Sequence, residues 1–74
     1  MEEMYKSAGN RIFLERSVRG YSRERLAEIA GISTKFLYEI EMGKTGFSVW
    51  ILKKLCDALE VGYSYILTGE SYTE

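Results

Sequence analysis

The chain has 74 residues, 46% of them hydrophobic and 28% charged, with one cysteine and no histidine. That length holds one small domain, and the balance of apolar and charged residues excludes disorder, collagen-like repeats and low complexity. The formal net charge of −1 and a pI of about 5.5 do not by themselves point to nucleic acid.

No apolar run reaches the roughly 18 residues of a membrane span, and the opening MEEMYK has no apolar core of a secretory signal. A cytoplasmic protein with a reduced thiol is expected. The missing histidine and single cysteine remove the usual general base, any disulfide framework and most metal sites. With no phosphate-binding glycine loop and no ligand cluster either, neither an enzyme, nor a cofactor, nor a metal, nor a small-molecule effector is expected. Surface contact is the expected mode of action.

The charges are unevenly placed. Residues 11–25 hold Arg11, Arg16, Arg19, Arg23 and Arg25 against Glu15 and Glu24, a balance of +3 that leaves −4 for the remainder. Such asymmetry can orient a domain toward a polyanion, although it equally fits an ordinary solvated helix face.

Period-2 alternation is absent, whereas apolar spacings of three and four recur, so the expected class is all-α. Gly20, Gly31, Gly43, Gly62 and Gly69 each follow a periodic stretch, where a left-handed residue commonly closes a helix. They mark out five helices. Residues 1–7 are expected as an N-terminal arm, 8–69 as the domain and 70–74 as a short tail. A first helix is predicted from about Ala8 to Arg19, with Ile12, Leu14 and Val18 apolar. A second follows Ser22, whose hydroxyl suits an N-cap, with Leu26, Ala27 and Ala30 inward. A third covers about Thr34 to Met42, with Leu37 and Ile40 inward. Ser48 caps a fourth, whose Leu52, Leu55, Cys56 and Leu59 form a buried stripe, and a short fifth spans about Tyr63 to Leu67.

Only Gly31, Ile32 and Ser33 separate the second and third helices, too few residues for two helices to lie flat against each other. They must cross steeply, as in a helix-turn-helix, with small Ala27 at the approach and Leu26, Ile32, Leu37 and Ile40 fixing the angle. The outer face of the third helix then carries Thr34, Lys35, Tyr38 and Glu39. A protruding polar helix fits the major groove of duplex DNA, where base edges offer distinct donor and acceptor patterns.

SRERLAEIAGISTKFLYEIEMGK, residues 22–44, resembles the helix-turn-helix of the phage repressor and Cro superfamily, the XRE-like regulators. Leu26, Ala27, Gly31, Ile32, Leu37 and Ile40 fall on core and turn positions of that family. Glu41-Met42-Gly43-Lys44 resembles its closing motif. The resemblance implies a five-helix lambda-repressor-like domain and a transcriptional regulator, a repressor by expectation. It further implies that Ser33, Thr34, Lys35 and Glu39 face base edges. By chemistry, Lys35 can donate to guanine, Glu39 can accept from cytosine, and Thr34 can serve either role. Ser22, Arg23, Tyr38, Lys44 and Thr45 are the candidate phosphate contacts. Arg23 leads, since it stands where the family most often has glutamine and sits at a positive helix end. The resemblance also implies a structural ion pair between Arg16 and Glu41.

The fourth helix's stripe already uses Leu52, Leu55, Cys56 and Leu59, so some of Trp50, Ile51, Tyr63, Tyr65 and Tyr72 are left to face outward, and of these Trp50, Ile51, Tyr63 and Tyr65 are singled out. They are candidate homodimer contacts, since regulators of this kind bind two-fold symmetric operators as dimers. The alternative is a protein-interaction module, such as an antitoxin or a restriction-modification controller, that uses the Trp50 and tyrosine surface.

Overall fold

In a computed structural model, residues 2–70 are described and form five helices: α1 (Glu2–Val18), α2 (Arg23–Ala30), α3 (Thr34–Glu41), α4 (Val49–Leu59) and α5 (Tyr63–Thr68). The expected tail lies outside the described residues from position 71 onward. Among the described residues no strand occurs, and no helix is long and apolar enough to cross a membrane.

α1 departs most from expectation. It begins at Glu2, so positions 2–7 of the expected arm are helical. Its buried stripe is not Ile12, Leu14 and Val18, because Leu14 is 47% and Val18 81% exposed. The inward positions are Ala8, Gly9, Ile12 and Arg16, at spacings of one, three and four. A glycine and an arginine within the stripe hide its apolar period. Gly9 sits where α1 crosses α3, and a Cβ there would come within 2.0 Å of the Ile40 carbonyl oxygen.

Three serines start helices, Ser22 and Ser48 as expected and Ser33, read in the sequence as a turn and base-facing residue, in addition. Ser22, Ser33 and Ser48 accept backbone N–H bonds from Arg25, Phe36 and Ile51 at 3.0, 3.0 and 3.2 Å. The turn between α2 and α3 closes on Gly31, which is left-handed at φ 74°, while the Ile32 N–H reaches back to the Ala27 carbonyl at 3.0 Å. Between α4 and α5 the expected glycine does not play that part. Glu60 takes the left-handed conformation at φ 59°, and Gly62 instead opens α5 with no side-chain cap.

α1 packs against α3 and α5, and α2 against α3 and α4. Their shared core consists of Ala8, Ile12, Leu26, Ala27, Ala30, Leu37, Ile40, Leu52, Leu55, Cys56, Leu59 and Ile66. Burying Leu26, Leu37, Ile40, Leu55 and Leu59 contributes roughly 1.5–3 kcal/mol each, enough to offset the weak intrinsic stability of helices only 8–11 residues long. Ile32 is half-buried and packs on this core at the turn, which fixes how α2 and α3 cross.

Candidate nucleic-acid interface

The α2–turn–α3 unit leaves one side of α3 unpacked. Lys35 is exposed, Tyr38 is 39% exposed, and Thr34 and Glu39 are half-buried on α3. Ser33 begins the helix. Its oxygen accepts the Phe36 N–H, which leaves the O–H free to donate and one lone pair free to accept. Ser22 is in the same position at the start of α2. A free O–H suits a phosphate oxygen, which can only accept.

Arg23 does not stand free at the head of α2. Its guanidinium meets the Glu41 carboxylate, with Nε at 3.0 Å and Nη2 at 2.9 Å from Oε1. Arg16 holds the other side of that carboxylate, with Nε 2.8 Å from Oε2 and Nη2 3.1 Å from Oε1. Its Nη1 also donates to the Tyr21 carbonyl. Glu41 is fully buried at its side chain, so two arginines neutralise one carboxylate and tie α1, α2 and α3 together. The expected Arg16–Glu41 pair is therefore part of a triad, and the leading candidate for a phosphate contact is its third member.

The rest of the basic flank is engaged as well. Arg11 donates to the Ile66 carbonyl at 3.0 Å near the end of α5, Arg19 pairs with Glu15 at 2.6 Å, and Arg25 pairs with Glu28 at 3.0 Å. Its five arginines thus serve intramolecular contacts, and charge counting along the sequence could not separate them from cations available to a ligand. Lys6, Lys35 and Lys44, by contrast, have no carboxylate partner among the described residues.

Tyr38 connects two cationic positions. The Arg23 guanidinium lies 5.2 Å and the Lys44 ammonium 5.4 Å from the centre of its ring. Lys44 follows α3 in a loop, residues 43–47, that includes half-buried Thr45. That loop rests on the first turns of α1: Tyr5 meets Phe47 edge-on at 5.0 Å, and a Cβ on Gly46 would fall 2.8 Å from the Tyr5 ring. Tyr5 attracted no notice in the sequence, because its contact with this loop depends on α1 extending back to Glu2.

A family model described as Helix-turn-helix, HTH_3, matches residues 19–66. The chain belongs to this helix-turn-helix family. No curated protein matches the sequence significantly. Solved structures are similar to this HTH_3 chain over most of its length. The master regulator of biofilm formation SinR, solved in complex with DNA, is 36% identical with a TM-score of 0.77, over 81% of this chain and 97% of that one. The restriction-modification controller protein C.AhdI from Aeromonas hydrophila is 26% identical with a TM-score of 0.80, over 84% and 94%. The clp gene regulator ClgR from Corynebacterium glutamicum is 26% identical with a TM-score of 0.81, over 86% and 83%. The XRE-like resemblance and the lambda-repressor-like fold both hold.

The candidate dimer contacts divide. Val49 and Trp50 are 79% and 71% exposed, and with Leu52, Lys53, Tyr63 and Leu67 they line an apolar cleft of about 450 Å³. Ile51 and Tyr65 turn the other way, half-buried against the core. The neighbouring Glu15 carboxylate, through hydrogen bonding and its charge, together with partial burial, holds the Tyr65 pKa above the usual phenol value against the opposing charge of Arg11. Trp50 and Ile51 are neighbours in sequence, but on the helix they face opposite environments, solvent and core.

Proposed function

We propose that this HTH_3 domain is a sequence-specific regulator of transcription that inserts α3 into the major groove of duplex DNA and acts as a homodimer, most simply as a repressor. The reading is carried by the open face of α3, where Thr34, Lys35 and Glu39 stand between the donor hydroxyl of Ser33 and the cation-flanked Tyr38. SinR, solved in complex with DNA, supports it through a match spanning nearly all of that chain. Lys35 donates to guanine, Glu39 accepts from cytosine, and Thr34 and Ser33 read neighbouring edges. Ser22, Tyr38, Lys44 and Thr45 take phosphates. Arg23, held by Glu41, adds only the donors its ion pair leaves over.

Selection from a random duplex pool tests this directly. A palindromic consensus containing G·C pairs is expected, with half-sites a helical turn apart or a multiple of it. Lys35→Ala is expected to relax preference at one base pair per half-site and to cost about 1–3 kcal/mol on the selected site. Binding that is indifferent to sequence and to Lys35 would exclude the proposal. The C.AhdI likeness, which spans 94% of that protein, favours one second reading: a compact controller of a restriction-modification operon. It uses the same DNA face and differs only in the genes controlled.

A further inference from the structure

We propose that Lys6, on the first helix, is a DNA-phosphate contact, so that α1 adds a backbone-binding position beside the loop that follows α3. The inference rests on the DNA-binding reading above and extends it to an element that reading leaves out. An open cleft of about 390 Å³ lies between α1 and this loop, lined by Tyr5, Lys6, Gly43, Lys44, Thr45 and Gly46. Its chemistry is that of an anion site: two ammonium groups and a hydroxyl, all donors, around a floor of glycine backbone.

The position of Lys6 is imposed by packing. Gly43 is left-handed at φ 72°, and a Cβ there would meet the Lys6 Cγ at 2.5 Å and its Cα at 3.2 Å. The lysine stem therefore lies against the loop backbone, while the residue remains exposed. The Tyr5 contacts with Phe47 and Gly46 hold the same turn of α1 in place. Among the described residues no carboxylate neutralises Lys6 or Lys44. Lys44 in turn lies beside the Tyr38 ring, which Arg23 also approaches. The result is a cationic border running from the head of α2 across α3 and the loop to α1. With Arg16 and Arg23 held by Glu41 and Arg11 by the Ile66 carbonyl, Lys6 and Lys44 are the cations of this border without a carboxylate partner among the described residues.

The test is fluorescence anisotropy of the intact chain on its selected duplex and on an unrelated duplex across a potassium chloride series, with wild type, Lys6→Gln and Lys6→Arg. Lys6→Gln keeps the stem over Gly43 and removes the charge. Expected are an equal loss on both duplexes, about eightfold per protomer at 0.1 M salt, and a salt slope lower by about 0.9 per protomer. Lys6→Arg restores the slope, and thermal melting of both variants matches wild type. If wild type binds the selected duplex and Lys6→Gln leaves affinity and slope unchanged, Lys6 has no such role and the DNA-binding reading stands. If wild type binds neither duplex, both fall together.

Discussion

Glu41 is the residue on which three helices depend. Its side chain is wholly buried, and it accepts from Arg16, also nearly buried, and from Arg23, whose side chain keeps 27% of its exposure. Truncating the two arginines should therefore have unequal effects. Arg16→Ala removes the better-buried cation and two of the bonds to Glu41 and leaves the Tyr21 carbonyl without its donor, a loss of about 2–3 kcal/mol with Arg23 still in place. Arg23→Ala leaves Glu41 still neutralised and should cost about 1 kcal/mol. Thermal melting followed by circular dichroism gives the order, and equal melting temperatures would overturn it. Cys56 makes a second residue-scale case: burial pushes its thiol pKa up to about 11. Between pH 9 and 11 the unfolded chain releases this proton before the folded one does, so Cys56 removes stability as pH rises through that window. At pH 8 the native thiol should resist iodoacetamide and react promptly once urea unfolds the chain.

At the scale of helices, the serine caps at Ser22 and Ser48 and the stripes of α2, α3 and α4 were legible because each rests on residues close by in the chain. The register of α1 was not. Its inward positions include Gly9, chosen for the close passage of the Ile40 carbonyl, and Arg16, chosen for Glu41, and both partners lie more than twenty residues away. The end of α4 was misread for a related reason. Gly62 looked like the closing residue, but the main chain turns left-handed two positions earlier at Glu60, where any residue with a Cβ is strained. Glu60→Gly should relieve that strain and stabilise the domain by about 1 kcal/mol, a rise in melting temperature of about 4–8 °C. Gly9→Ala should act in the opposite direction, by about 2–3 kcal/mol, since the added methyl meets backbone that cannot rotate away. Chemical denaturation of the two variants beside wild type checks both signs.

For the molecule as a whole, the sequence disclosed which helix could enter a groove but not which cations were available to accompany it. Five arginines clustered between residues 11 and 25 made the obvious basic flank, yet carboxylates and carbonyls of the fold occupy them. Pairing is a tertiary property, so composition could not reveal it. The candidate assembly surface is likewise defined by the fold, which points Trp50 outward and Ile51 inward. Trp50 is the single tryptophan of the chain, so its fluorescence reports on this face without a label. If the apolar cleft is the homodimer contact, emission should shift to the blue as concentration rises. Trp50→Lys should then weaken the dimer by about 2 kcal/mol, near thirtyfold in dissociation constant, by sedimentation equilibrium. A concentration-independent monomer, free and on DNA, would remove the homodimer from the proposal.

The uncapped start of α5 has a consequence for how such a dimer would form. This helix has six residues, no side chain satisfies its first amide groups, and its anchors are the buried Ile66 and the Arg11 bond near its far end. With six residues and no N-terminal cap, its first-turn amides are expected to exchange with solvent readily, although Ile66 anchors the helix in the core. Tyr63 and Leu67, carried on α5, form part of the apolar cleft. Association across that cleft would quench this local breathing, and dimerisation would be registered as slowed amide exchange in a segment remote from α3.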